Sequence, residues 1–168
     1  MTKRQSYRVV GIDPGLNVTG YAVVDFAARR LEPAIVEAGA IRTGAKGGLP
    51  ARIQQLHADM AEILAELKPN LAAIEKLYAH YKHPRTSILM AHARGALLLA
   101  CRQAGLKIMD LEATRIKKSL TGNGRASKLQ IQRAIQALCK LKDLPSPPDV
   151  ADALAIALCA GRDQMRPY

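Results

Sequence analysis

The chain switches between two hydrophobic periods, and each switch marks an element. Residues 8–13 (RVVGID), 20–26 (GYAVVDF) and 34–42 (AIVEAGAIR) are short β-branched runs, the first two separated by the turn PGLNVTG. They read as three strands with connections short enough for antiparallel hairpins. A loop, TGAKGG at 43–48, follows. Leu49, Ile53, Leu56, Met60, Ile63, Leu64 and Leu67 then recur at helical spacing, predicting a helix over 49–68 that Pro69 stops. LAAIE at 71–75 is a short apolar strand ending in a carboxylate, and 76–84 is a polar, aromatic loop. A second long helix covers 85–104, with Gly105 as its C-cap, and KIMDL at 107–111 makes a fifth strand. A short helix near 112–119 and the glycine-rich loop TGNGRA come next. Ser127 and Gln130 form a capping-box pattern for a helix near 128–140, and PSPP at 145–148 breaks the chain before a final helix. Three strands followed by alternating helices and strands indicate one α/β domain over 1–168 with a mixed sheet.

The final helix, DVADALAIALCA at 149–160, is apolar nearly all round apart from Asp149 and Asp152. Spaced i, i+3, the two aspartates share one face. Such a helix is expected to be buried, and buried carboxylates are costly without a cation. No Lys or Arg lies beside them on this helix. A bound metal is the simplest remedy, with carboxylates from elsewhere completing the site. Two others are placed to help. Asp13 ends the first strand before Pro14-Gly15, a pair that forces a sharp turn and leaves the carboxylate at the sheet's end. Glu75 ends the fourth strand in the same manner. If those strands are neighbours, four carboxylates converge, and hard oxygen ligands select Mg²⁺ or Mn²⁺. Each acid also has a plain reading: Asp13 as a turn residue, Asp149 as a partner of the helix dipole, Glu75 as a solvated end. Asp152, one turn into an apolar helix, resists it.

Composition changes the picture in one respect. The 168 residues are 49% hydrophobic, enough for a real core, yet carry 25 Lys+Arg against 14 Asp+Glu, a net charge of +11. Such an excess points to an anionic partner, most often nucleic acid. An acidic site in a basic protein suits phosphodiester chemistry: two divalent ions about 4 Å apart bind the attacking water and the leaving oxygen. They reverse the local sign, while surrounding Lys and Arg hold flanking phosphates. Cys101, Cys139 and Cys159 are far apart in apolar helical contexts, with no CxxC pair, which argues against zinc and disulfides and for a reducing cytoplasm. MTKRQSYRVV lacks the apolar core of a signal peptide, and stretches such as GALLLAC at 95–101 are too short to span a bilayer.

Three motifs occur in order: GIDPGLNVTG at 11–20, AIEKLY at 73–78 and DVADALAIA at 149–157. Together they closely resemble the RuvC family, bacterial Holliday-junction resolvases of the ribonuclease H-like superfamily, over residues 8–161. GIDPG alone also occurs in actin-like ATPases; the ordered set with DxxDALAIA is far more specific. The resemblance implies a ribonuclease H-like fold, a five-stranded mixed sheet flanked by helices, and a homodimer. It implies paired symmetric incisions in a four-way DNA junction during recombination and repair, and cooperation with the RuvA–RuvB branch-migration complex. The family's catalytic, metal-holding carboxylates fall on Asp13, Glu75, Asp149 and Asp152, with Asp13 expected to bridge two ions and a water attacking in line. Other readings are a ribonuclease H-like nuclease on another substrate such as an RNA–DNA hybrid, an actin-like ATPase, and a non-catalytic nucleic-acid binder. The ATPase reading needs a second domain for which 168 residues leave little room.

Candidate DNA contacts cluster in two regions. The loop after Glu75 holds Tyr78, Tyr81 and, at its end, Arg85, together with His80 and His83. The family carries an aromatic where Tyr78 stands, a wedge at the junction centre. Stacking on an unpaired base is worth ~1–3 kcal/mol. Packing on the second helix is the alternative for Tyr78, and the two readings of Tyr81 are balanced. His80 and His83 lack further ligands, so phosphate contact or plain exposure is expected of them. Residues 113–142 hold Arg115, Lys117, Lys118, Arg125, Lys128, Arg133, Lys140 and Lys142 and no acid. Thirty residues without a compensating acid read as a nucleic-acid surface. TGNGRASK combines glycines, Arg125, Lys128 and a helix N-terminus, a phosphate cradle, and Lys117 and Lys128 match basic positions the family uses on DNA. These contacts, Lys118 included, are expected to position the backbone and not to read bases. Met90, Ala91, Ala93, Gly95 and Ala96 on the second helix form a small-residue stripe, either a dimer face or internal packing.

Overall fold

The computed structural model describes residues 6–27, 32–44, 46–78 and 84–165. Its elements are β1 (Tyr7–Asp13), β2 (Val18–Phe26), β3 (Ala34–Arg42), α1 (Gly48–Leu67), β4 (Leu71–Glu75), α2 (Pro84–Gln103), β5 (Lys107–Leu111), α3 (Ala113–Thr121), α4 (Lys128–Cys139) and α5 (Pro148–Met165). The strand order is β3-β2-β1-β4-β5. β2 pairs antiparallel with β1 and β3, while β4 is parallel to β1 and β5. The expected mixed sheet is therefore present, with β1 at its centre. Its Val9, Val10 and Ile12 are fully buried.

Strand alternation divides these residues between two layers. Val10, Ile12, Val23, Ala72 and Ile74 face α1 and α2, packing with Leu56, Met60, Leu64 and Leu97. Val9, Ala22, Val24, Leu71 and Ala73 face α5, flanked by α3 and α4. α5 is the central helix of that layer, buried without a break from Ala153 to Gly161. It lies unusually close to the sheet. A Cβ placed on Gly11 would stand 2.2 Å from the Ala153 carbonyl oxygen, and one on Gly20 would stand 2.0 Å from that of Asp149. Only glycine permits this approach, and it brings the first turns of α5 onto β1 and β2.

Local signals are realised as the patterns predict. The Ser127 hydroxyl accepts from the Gln130 N–H (3.2 Å) while the Gln130 side chain accepts from the Ser127 N–H (2.8 Å). Pro148 occupies the first position of α5, where a missing N–H costs nothing. Among the described residues, no helix is long and apolar enough to cross a membrane.

Candidate active site

β1 and β4 run in parallel with Gly11 opposite Ala73 and Ile12 opposite Ile74. Asp13 and Glu75 each follow by one residue, so they end neighbouring strands at the same edge. Each lies two residues beyond a member of the α5-facing set, so both carboxylates belong to the α5 side of the sheet. α5 contributes Asp149 in its first turn and Asp152 one turn later. The electrostatics report the convergence. Asp13 is pushed up from 3.8 to about 7, first by burial and then by the charges of Asp152, Glu75 and Asp149, with Lys128 opposing. Glu75 is raised by burial and by Asp152, against Lys117 and Lys128. Asp152 is likewise raised by burial, with Lys128 opposing and Asp149 adding to it.

Two features differ from the sequence reading. The carboxylates of α5 are not sealed in a core: Asp149 and Asp152 are half-buried at the rim of an otherwise buried helix. Nor do they lack a cation, because α4 supplies one. Lys128 Nζ stands 3.7 Å from Asp152 Oδ2. A cavity of about 220 Å³ between α3, α4 and α5 is lined by Glu75, Lys117, Lys128 and Asp152 over an apolar floor that includes Ile116, Ile131 and Ile156. A second cavity, of about 740 Å³, runs from Asp13 and Glu75 along Tyr78 to Thr86, Ile88 and Met90. The acids thus sit between two openings.

Among the described residues, no three His, Cys, Asp or Glu side chains are drawn together tightly enough to cage an ion as they stand. The donor chemistry nonetheless fits a hard divalent cation. Four carboxylates share one field, and three of them hold protons above their ordinary range, first through burial and then through one another's charge. A cation would offset both.

The turn that carries Asp13 is braced from behind. The fully buried Thr19 donates its hydroxyl to the Gly15 carbonyl (2.6 Å). Arg52 of α1 reaches the Leu16 carbonyl (3.2 Å), the Asn17 side chain and Thr43. Glu75 is gripped by Arg94 of α2, whose Nε donates to its main-chain oxygen (3.2 Å) while the guanidinium pairs with Asp110. Sequence reasoning passed over both arginines. The available signal was a lone Arg94 inside the apolar, small-residue run LMAHARGALLLA.

The remaining candidates divide. Tyr78 is 59% exposed, which removes the core-packing reading. Tyr81, His80 and His83 lie outside the described residues, and Arg85 is exposed at the start of α2. Lys118 and Arg125 are exposed, and Lys117 is half-buried beside the acids. The basic run does find compensating acids, from outside its own thirty residues: Arg115 pairs with Asp163 (2.7 Å), Lys140 with Glu32 (2.6 Å) and Lys128 with Asp152. The small-residue stripe of α2 is not one face. Ala93 and Ala96 are buried within the protein, whereas Ala91 and Gly95 turn outward in line with Ile88 and Leu99, which are 59% and 53% exposed.

Comparison with known proteins agrees with this geometry. The family model described as Crossover junction endodeoxyribonuclease RuvC matches residues 9–160. A relative of that name from Rhodopirellula baltica is 48% identical over 151 residues, covering 90% of this chain and 84% of the relative. Another, from Halothermothrix orenii, is 39% identical over 153 residues, covering 91% of each. Thermus thermophilus RuvC in complex with a Holliday junction substrate superposes with a TM-score of 0.87 at 29% identity, covering 95% of this chain and 96% of that one. The ATPase reading that the GIDPG turn left open is thereby set aside. With its sheet, its motif order and its matching residues all in agreement, the chain belongs to the RuvC family of crossover junction endodeoxyribonucleases.

Proposed function

We propose that this protein is a Holliday-junction resolvase that makes paired symmetric incisions in four-way DNA junctions, in recombination and repair, with a divalent metal. The observation that carries the reading is the meeting of Asp13, Glu75 and Asp152 in one field, with Asp149 contributing, beside Lys117 and Lys128. Asp13, Glu75, Asp149 and Asp152 would hold the metal, Mg²⁺ or Mn²⁺ and two per site. When bound, such ions supply positive charge for activating a water and stabilising the leaving oxygen of a phosphodiester. Asp13 couples to each of the other three acids, which supports counting it among the residues that would hold the metal. Lys117 and Lys128 neutralise the phosphates that flank the scissile bond, and Lys118, Arg125 and Arg85 extend that surface. Tyr78, exposed at the rim of the larger cavity, stacks on an unpaired base. Tyr81, the second aromatic of the same sequence segment, is proposed as a further DNA contact.

The substrate has two equivalent strands to cut, which favours a twofold homodimer. The outward stripe Ile88, Ala91, Gly95 and Leu99 on α2 is an apolar surface at helical spacing suited to that contact. Cooperation with the RuvA–RuvB complex rests on the family relationship alone, and action in the cytoplasm on that relationship and on three scattered cysteines without a CxxC pair.

The test is cleavage of a labelled, branch-migratable four-way junction with Mg²⁺ or Mn²⁺, beside linear duplex and an RNA–DNA hybrid. Symmetric, ligatable nicks confined to the junction are expected. Asp13→Asn should bind the junction and lose cutting by at least about 10²-fold, the scale of removing charge stabilisation at a reacting centre. Binding without cleavage under either metal would favour a non-catalytic module, and cleavage of the hybrid alone would favour another ribonuclease H-like activity.

A further inference from the structure

Glu75 sits at the last residue of β4, where pairing with β1 has already stopped at Ile74. The carboxylate belongs to the α5 side of the sheet, but its main chain is held from the opposite side. Arg94 rises from α2, its side chain only 19% exposed. Its Nε donates to the Glu75 carbonyl oxygen at 3.2 Å. Its terminal nitrogen pairs with Asp110, which lies on β5 one residue before the Glu75–Leu111 pairing. One planar guanidinium therefore ties the ends of two strands to one helix. On the side of β5, Glu75 pairs with Leu111, and the Lys76 N–H donates to the Leu111 carbonyl (2.8 Å).

The chemistry of arginine matters to this arrangement. The guanidinium is planar, always charged, and carries donors in a fixed fork, so one side chain can serve the carbonyl and the carboxylate together. Lysine offers a single point charge on a flexible stem. It can keep the ion pair with Asp110 or reach the Glu75 carbonyl, but it does not hold both in a fixed plane. Arg94 also lines neither of the two cavities beside the acids, and its charge is paired with Asp110.

We propose that Arg94 is a positioning residue, setting the main-chain geometry at Glu75 so that this carboxylate meets Asp13 and Asp152 in the geometry metal binding requires, with Asp110 fixing the guanidinium. The inference rests on the reading of Glu75 as a metal-holding acid of the nuclease. Groups that orient metal ligands typically contribute about 10–100-fold to metal affinity or activity.

The test compares wild type, Arg94→Lys, Arg94→Ala, Asp110→Asn and Glu75→Gln as purified full-length proteins. Three quantities are measured: junction affinity in chelator, single-turnover cleavage across a Mg²⁺ titration, and thermal melting. Arg94→Lys should bind junctions as wild type does, require more Mg²⁺ for half-maximal cutting, and lose about 10-fold in rate at low Mg²⁺. Excess Mg²⁺ should recover part of that loss. Asp110→Asn, which keeps the carbonyl contact and loses the charge pair, should show the same shift to a smaller degree. A purely structural role would lower melting and junction affinity together and leave the Mg²⁺ midpoint of the folded fraction where it was, which overturns the proposal. Should Arg94→Ala fail to fold, Arg94→Lys and Asp110→Asn decide alone. If wild type cuts and Glu75→Gln does not, while Arg94→Lys matches wild type at every Mg²⁺ concentration, the positioning role is wrong and the nuclease reading stands. If wild type cuts no junction under any metal, or Glu75→Gln cuts as well as wild type, the nuclease reading has failed and the role of Arg94 with it.

Discussion

The two faces of the sheet are built by opposite means. Against α1 and α2, the sheet presents Val10, Ile12 and Val23 to large side chains, Leu56, Met60, Leu64 and Leu97. Bulky side chains fill the space between helix and sheet there. Against α5, the contact is made by backbone: Gly11 and Gly20 lie beneath the carbonyls of Ala153 and Asp149, and the helix is rich in alanine. The first face buries apolar area. The second face gives up some side-chain burial so that a helix can carry two short acidic side chains within reach of two strand ends. Aspartate and glutamate side chains reach only a few ångströms from their Cα atoms, so the four acids meet only if the elements that bear them nearly touch. Close packing on this face is therefore a condition of the chemistry proposed for the four acids, whereas packing on the other supports the fold.

Substitution on each face should separate these roles most strongly. Gly11→Val forces a side chain where even a Cβ stands 2.2 Å from the Ala153 carbonyl oxygen, so α5 must move. Overpacking of this kind costs about 1–3 kcal/mol. Cleavage by the protein that remains folded should fall further, about 10²-fold, because a 1 Å misplacement of reacting groups has that effect. Leu56→Ala on the opposite face should cost about 2–5 kcal/mol through the cavity it leaves. Its cleavage rate per folded molecule should be that of wild type. Thermal melting paired with single-turnover cleavage below the melting range measures both. Equal losses of activity from the two variants would erase the distinction.

Protonation offers a subtler probe of the acidic face. Asp13 has its folded value raised to about 7 from 3.8, by burial first and by Asp152, Glu75 and Asp149 next. A carboxylate raised in the folded state contributes stability that is complete below its unfolded value and is lost as pH rises through the folded one. In chelator, wild type should therefore lose stability between about pH 4 and pH 7 more than Asp13→Asn does, and added Mg²⁺ should restore wild type alone above that range. Protons and metal compete for the same oxygens. Cleavage should decline as pH drops below about 7, and higher Mg²⁺ should move that decline to lower pH. A melting difference between wild type and Asp13→Asn that is flat across this range would show that Asp13 is an ordinary turn aspartate.

The smallest expected effect concerns Lys128, which opposes the rise of Asp13, Glu75 and Asp152 alike. Lys128→Gln should move the cleavage profile toward higher pH. If the lysine also meets a phosphate, the salt dependence of junction binding should lose about one unit of slope. Melting should barely respond, since the ammonium is exposed and 3.7 Å from its partner.

Much of this protein is determined locally and was readable in the chain. Hydrophobic period set the long helices, Pro69 and PSPP set their limits, and Ser127 with Gln130 set the start of α4. Asp13, Glu75, Asp149 and Asp152 stood out because each breaks a local pattern, a carboxylate at a strand end or on an apolar helix. Local pattern reports only neighbours within a few residues. It does not report which strands lie side by side, because pairing is decided by burial summed over the whole sheet. That β4 runs beside β1, with Asp13 and Glu75 on one side, is such a decision. So is the cation supplied to Asp152 by α4, and so are the distant acids that meet Arg115 and Lys140. The stripe of small residues on α2 divided because helix spacing alone does not say which side of a helix is covered. Arg94 stayed hidden for the same reason: its partners, Glu75 and Asp110, lie 19 and 16 residues away and become neighbours only when two strands and a helix have packed.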